Sequence, residues 1–216
     1  DAFATAELRA RESGVFSGGE VFTAAFALTD SRIDIDVRVS DGEAFAAGDV
    51  LASVTGPARG VLQAERVGLN FTQRMSGIAT LTAAYVAAVA GTGARIADTR
   101  KTTPGLRRFE RHAVRSGGGH NHRFSLSDAV MAKDNHLAVL VARHGSITAA
   151  LQAARAALPH TTHLEVEIDR LDQLDAVLAA GNLHPPMSLR VNRRVSERTG
   201  PIDQMTVNRL PRMERF

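Results

Sequence analysis

Cysteine is absent from all 216 residues, which removes disulfides, thiolate nucleophiles and cysteine-type metal sites together. Lysine is almost absent, since every one of the 26 basic residues except Lys101 and Lys133 is an arginine. No stretch approaches the roughly 18 consecutive apolar residues of a membrane-spanning helix. The opening Asp1-Ala-Phe-Ala has no basic start, no apolar signal core and no initiating Met. No targeting segment is expected from it, and the chain reads as trimmed or incomplete. These absences together point to a cytoplasmic location with no membrane partner. Internal repeats and low-complexity runs are also lacking.

What is present describes an ordinary globular protein, 44% hydrophobic and 23% charged, long enough for one large domain or two small ones. The net charge of +3 is unevenly spread. Residues 182–216 hold seven Arg against Glu197, Asp203 and Glu214, a net of +4, which leaves −1 for residues 1–181. The body is therefore not a nucleic-acid-binding surface by composition, and an RNA-binding role is confined to the arginine-rich tail. Arginine dominance fits a GC-rich coding bias. Where lysine survives, the position either escaped that bias or requires a compact, rotatable ammonium rather than a planar guanidinium.

Alternation of Ile33, Ile35, Val37 and Val39 with Asp34, Asp36 and Arg38 predicts a half-buried strand, followed by a turn at Asp41-Gly42. Val50–Val54 predicts a second strand, residues 57–74 a helix opened by Pro57, and Ala79–Val89 a further helix stopped by Gly91-Thr-Gly93. Beyond this point strand and helix alternate. Strands are predicted at Ala94–Asp98, Ala129–Lys133 and His163–Ile168, with helices over 104–115, after Ser146, and over 170–180. That order belongs to a parallel sheet or part of an α/β barrel, where reactive groups sit at strand ends. Residues 182–216, with Pro185-Pro186, Gly200-Pro201 and Pro211, read as an irregular tail.

Polar clusters fall at those strand ends. Asp98-Thr-Arg-Lys101 offers Arg100 for a two-pronged carboxylate contact and Lys101 as a mobile point charge, although a solvated Arg-Lys pair is as common. Ser116-Gly-Gly-Gly-His-Asn-His-Arg123 lets backbone approach an anion; a plain flexible loop or a weak His-x-His metal pair are the competing readings. The loop lacks the Gly-Lys-Ser/Thr ending of a Walker loop. Lys133, at the head of Lys133-Asp-Asn-His136, is read as a charged clamp in preference to a Schiff-base nucleophile. Glu165 and Glu167 share one face of a strand, suited to a Mg2+-bound ligand or a sugar hydroxyl, or to a structural ion pair.

In this order the motifs resemble the quinolinate phosphoribosyltransferase family. The matching stretches are Ala64-Glu-Arg-Val-Gly-Leu-Asn70, Met75-Ser-Gly-Ile-Ala-Thr80, Ala97-Asp-Thr-Arg-Lys-Thr-Thr-Pro-Gly-Leu-Arg107, Ala113-Val-Arg-Ser-Gly-Gly-Gly-His-Asn-His-Arg123 and Ala132-Lys-Asp-Asn-His136. The similarity runs from about residue 6 to 180, through His163–Ile168 and Leu171-Asp-Gln-Leu174. It implies an α/β fold with an N-terminal α+β sandwich domain over 1–92, a partial α/β barrel over 93–181 and an unmatched basic tail over 182–216.

The implied activity transfers phosphoribosyl from phosphoribosyl pyrophosphate to quinolinate with decarboxylation, giving nicotinate mononucleotide, pyrophosphate and CO2 in NAD biosynthesis. By the same resemblance Arg100, Lys101, His122, Arg123 and Lys133 line the quinolinate pocket, and Lys133 and Glu167 are the catalytic pair. Glu167 serves the Mg2+–phosphoribosyl end, and Arg66 is lent across a homodimer interface. After Gly181 the family's later Asp-Asn strand end and its serine/glycine-rich phosphate strands do not appear. An inactive remnant that binds a dicarboxylate or a homologous subunit is the alternative, and half a barrel is expected to rely on a partner to cover exposed strand edges. Lys133-Asp-Asn-His136 favours the quinolinate branch over the related molybdenum-transport-associated group.

Overall fold

The computed structural model describes residues 2–180 and the strand Met187–Val191. Among these, the first of two compact units runs through His122 and the second begins at Arg123.

The first unit opens with β1 (Phe3–Arg9), β2 (Gly14–Val15), α1 (Gly19–Thr29), β3 (Asp34–Val37), β4 (Ala44–Phe45) and β5 (Val50–Pro57). Two helices follow, α2 (Ala58–Ala88) and α3 (Arg107–Ser116). β5 is the centre of an antiparallel sheet, flanked by β1 and β3. In β3 the predicted alternation holds: Ile35 and Val37 turn toward the core while Asp34 and Asp36 stay exposed. Phe22, Phe26, Ile33, Ala52, Val54, Val61 and Ala64 form that core, so α1 and α2 cover one face of the sheet. Gly68 on α2 lies where a Cβ would come within 3.1 Å of the Phe26 ring, so a glycine here lets the two helices close up. This is an α+β sandwich.

Two predicted helices over 57–74 and 79–89 are one. α2 runs unbroken for 31 residues because its buried positions, Gly68, Thr72, Met75, Ala79 and Thr82, continue on one face straight past Gly77. The strand predicted at Ala94–Asp98 is reduced to one parallel bridge between Ala97 and His120, made by Asp98 N–H to the His120 carbonyl and His120 N–H to Ile96. Its partner is a turn and not a strand, so no ladder can propagate. α3 starts at Arg107 and not at Pro104, because Gly105 adopts φ +78, outside the helical region. The segment 93–122 falls within the first unit, with α3 packed on α2 through the Arg74–Glu110 ion pair at 2.5 Å.

The second unit contains β6 (Ala129–Ala132), α4 (Asp134–His144), α5 (Ile147–Ala157), β7 (His163–Ile168), a 3-10 turn at Leu171–Gln173, α6 (Leu174–Leu178) and β8 (Met187–Val191). β6, β7 and β8 form a parallel sheet in that order. β7 has the bounds its alternation predicts, and Ser146 caps α5 through its Oγ, which accepts the Ala149 N–H at 3.1 Å. The helix predicted over 170–180 is the 3-10 turn followed by a short α6. The irregular tail is corrected at 187–191, which pair with β7; the rest of 182–216 lies outside the described residues. Arg155, buried, donates to the carbonyls of Thr162 at 2.5 Å and His160 at 2.6 Å, supplying donors to the loop that leads from α5 into β7. Among the described residues no single helix is long and apolar enough to cross a membrane.

The N-terminus of α1 is capped from a distance. Asp41, in the turn after β3, accepts the N–H groups of Gly18 at 2.9 Å and Gly19 at 3.0 Å, and the His112 ring nitrogen Nε2 lies 2.5 Å away. Burial pushes this carboxyl up, but the two amides and His112 outweigh it and hold it below its ordinary value. Asp41→Asn is expected to cost about 1 kcal/mol near neutral pH, read from urea midpoints. Because the folded state holds the proton less tightly than the unfolded chain, the wild-type advantage is full above pH 3.8 and fades as pH falls through the lowered value.

Candidate functional site

In the first unit the predicted residues surround one buried charge pair. Asp98 Oδ1 accepts the His122 N–H at 2.7 Å and lies 3.2 Å from Arg111 Nη1, with the two side chains 6% and 9% exposed. Arg111 Nη2 donates to the His122 carbonyl at 2.8 Å. Asn121, with its amide turned to satisfy both neighbours, donates to Asp98 Oδ2 at 2.8 Å and to the Arg111 carbonyl at 3.0 Å. Burial pushes the Asp98 carboxyl above its ordinary value, against the pull of the His122 amide and Arg111. No role was assigned to Arg111 or Asn121 from the sequence, and nothing in the spacing of Arg111 separates it from Arg107, Arg108 or Arg115.

Two residues beyond Asp98, Arg100 is partly buried, and its Nε is one of two buried side-chain polar atoms without a hydrogen-bond partner among the described residues. Its carbonyl accepts from Arg107 Nη2 at 3.2 Å, and Arg107 Nε donates to Thr102 Oγ1 at 3.1 Å. Thr103 is tied to α2 by Arg74 Nη2 at 2.5 Å. The loop is thus anchored on both sides of Lys101, whose own side chain is exposed. Glu110 is held below its ordinary value: burial raises it, but Arg74 and Thr103 more than compensate. Arg66 stands on the exposed side of α2.

Two of the three glycines are required by packing and the third by the turn. A Cβ at Gly117 would lie 2.3 Å from the Ala79 carbonyl oxygen, and one at Gly119 would lie 2.8 Å from Thr82 and Val114 side-chain carbons. Gly118 takes φ +81 to turn the chain. The close backbone approach expected toward an anion is made at Gly117 and Gly119 to α2 and α3.

In the second unit β6 is apolar throughout, whereas β7 presents two chemically distinct faces. Ala132, Leu164, Val166 and Ile168 enter the apolar core with Leu137, Leu151 and Val177 from the helices. Glu165 and Glu167 alternate with these and share the opposite face, Glu165 at 6% exposure. Lys133 follows β6 with Nζ 3.7 Å from Glu167 Oε2, an arrangement of an ammonium beside a carboxylate acceptor. The Lys133 N–H donates to His136 Nδ1 at 3.0 Å, so that histidine closes the first turn of α4. Arg123 Nη1 donates to the Ala129 carbonyl at 2.6 Å, fixing the entry to β6. Among the described residues no group of three or more His, Asp or Glu side chains is arranged to hold a metal ion. Glu165 and Glu167 are carboxylates, a donor type that could meet Mg2+ alongside water and phosphate ligands.

Residues 1–76 match the N-terminal domain of quinolinate phosphoribosyl transferase, and residues 78–186 match its C-terminal domain. The chain belongs to the quinolinate phosphoribosyl transferase family. Within that family it is 45% identical over 176 residues to the probable carboxylating nicotinate-nucleotide pyrophosphorylase of Bacillus subtilis, covering 82% of this chain and 60% of that protein. It is 48% identical over 180 residues to the carboxylating nicotinate-nucleotide pyrophosphorylase of Mycobacterium leprae, covering 81% of this chain and 61% of that one. The crystal structure of NadC from Streptococcus pyogenes superposes with a TM-score of 0.74 at 36% identity, over 90% of this chain and 75% of that one. The chain thus spans about three fifths of the two curated relatives.

Gly117→Ala forces a carbon into the α2 backbone and is expected to cost about 3 kcal/mol, whereas Gly118→Ala, limited to its φ, should cost about 1 kcal/mol. Urea denaturation of the two variants side by side checks the order.

Proposed function

We propose that the chain transfers phosphoribosyl from phosphoribosyl pyrophosphate to quinolinate with loss of CO2, yielding nicotinate mononucleotide and pyrophosphate. The observation that carries this reading is Arg100, a partly buried guanidinium whose Nε has no hydrogen-bond partner among the described residues, in a loop anchored through the Arg100 carbonyl, Thr102 and Thr103 around an exposed Lys101. A guanidinium with an unsatisfied N–H carries its full charge into the loop, and a carboxylate of a pyridine dicarboxylate is the two-pronged acceptor that its fork fits. Toward quinolinate we assign Arg100, Lys101 and His122 among the residues of the first unit, and Arg123 and Lys133 among those of the second. Both substrates are polyanions, so the dominant contribution asked of these groups is electrostatic.

The ring nitrogen of quinolinate attacks the anomeric carbon and pyrophosphate departs. The C2 carboxylate then leaves as CO2, and the electron pair left on the ring carbon takes up a proton. Lys133 is assigned to the charge that develops in this second step, with Glu167 as its carboxylate neighbour at 3.7 Å. Glu167 would also serve the Mg2+–phosphoribosyl end through the substrate, where Mg2+ would supply charge neutralisation for the pyrophosphate. Arg66, exposed on α2 beside the exposed Leu62 and Val67, fits a group lent to a second copy in a homodimer or larger homo-oligomer. Placement in the cytoplasm accords with the absence of cysteine.

With carboxyl-labelled quinolinate, phosphoribosyl pyrophosphate and Mg2+, labelled CO2 release should exceed that of a Lys133→Ala control. Quinolinate binding without release above that control would sink the catalytic reading and leave a dicarboxylate-binding family member. Arg100→Ala should weaken quinolinate binding by about tenfold or more, the loss of a charge-assisted hydrogen bond, measured by calorimetry.

A further inference from the structure

We infer that Asp98 and Arg111 form a positioning device that sets the orientation of His122, and through it the affinity for quinolinate. The inference rests on the functional reading above for its ligand, and on the first unit's own geometry for its mechanism. His122 is held at both of its backbone polar groups. Its N–H is accepted by Asp98 Oδ1 at 2.7 Å, and its carbonyl receives Arg111 Nη2 at 2.8 Å. These two groups belong to successive peptide planes, and each plane is rigid. Fixing both planes fixes φ and ψ at His122, and with them the direction in which its side chain leaves the backbone.

The two anchors are themselves locked together. Arg111 Nη1 stands 3.2 Å from Asp98 Oδ1, and the Asn121 side chain bridges Asp98 Oδ2 and the Arg111 carbonyl. Both charged side chains are at least nine-tenths buried, so neither can trade its partner for water. The Asp98 main chain is joined to the same turn by its N–H bond to the His120 carbonyl at 3.0 Å, and Arg100 lies two residues further on. An ion pair whose role was confined to stability would have no need to converge on the main chain of the one imidazole proposed to meet the substrate. Apolar residues of similar volume commonly replace such pairs without loss.

Two measurements test this. The first needs no ligand: amide hydrogen exchange at His122 should accelerate about tenfold or more in Asp98→Asn, while Phe26 on α1 keeps its protection. The second is a cycle read by calorimetry. Asp98→Asn should weaken quinolinate binding by about tenfold in the wild-type background, but by less than about twofold when His122→Ala is already present. Arg111→Lys, which keeps the charge and loses the fork, should fall between wild type and Asp98→Asn. If Asp98→Asn does not fold, Asn121→Ala removes the neutral bridge from an exposed side chain and is read in the same two ways. Unchanged His122 exchange in a folded variant, or an equal loss of affinity in both His122 backgrounds, overturns the inference. If the wild-type chain does not bind quinolinate, the functional reading falls, and the exchange measurement still decides whether the pair fixes His122.

Discussion

The turn at Gly117–Gly119 meets α2 more closely than any side chain would permit, and the order of the first unit follows from that contact. The Ala79 carbonyl and the Thr82 methyl occupy the space where side chains would otherwise begin. With the turn seated there, α3 must end at Ser116, whose Oγ meets the buried Ser17 Oγ at 2.9 Å. The chain then leaves along a path that brings His120 beside Ala97, and His122 beside Asp98. One steric constraint on α2 thereby determines which residues stand next to the cation-bearing loop 98–103.

Charge is used in the two units in different ways. In the first, Asp98 and Arg111 are withdrawn from solvent and act on the backbone, while Arg74 and Arg107 hold the loop around Lys101. In the second, Glu165 and Glu167 lie on the side of β7 away from the apolar core, with Lys133 at the end of the neighbouring strand. Arg155 belongs to neither role, since its guanidinium is consumed by loop carbonyls. The abundance of arginine therefore conceals several separate tasks, most of them architectural.

Periodic features were legible from the residues alone. β7 was bounded correctly because Leu164, Val166 and Ile168 alternate with Glu165 and Glu167, and the start of α5 because Ser146 is a strong cap. Lys133 was likewise visible at the end of a strand, β6, whereas the loop that bears Arg100 and Lys101 follows an isolated bridge. Features decided by tertiary contact were not. The helices expected over 57–74 and 79–89 are one, because the buried stripe of α2 carries through the residues between them. Gly117 and Gly119 read as an anion cradle, because a glycine required by a ligand and one required by a helix backbone look the same in sequence. Arg111 could be recognised only from its distance to Asp98.

The two-faced character of β7 has a consequence for how this chain can vary. Its apolar and acidic positions interleave one by one, so substitutions at either set are independent events that leave the other in place. Insertion or deletion of one residue within His163–Ile168 is another matter, because a single-residue slip carries Glu165 and Glu167 into the core and Val166 and Ile168 out of it. Drift by substitution is open to this strand; drift in length is closed, and descendants of this sequence should differ freely in the loops on either side while the count of residues between them stays constant.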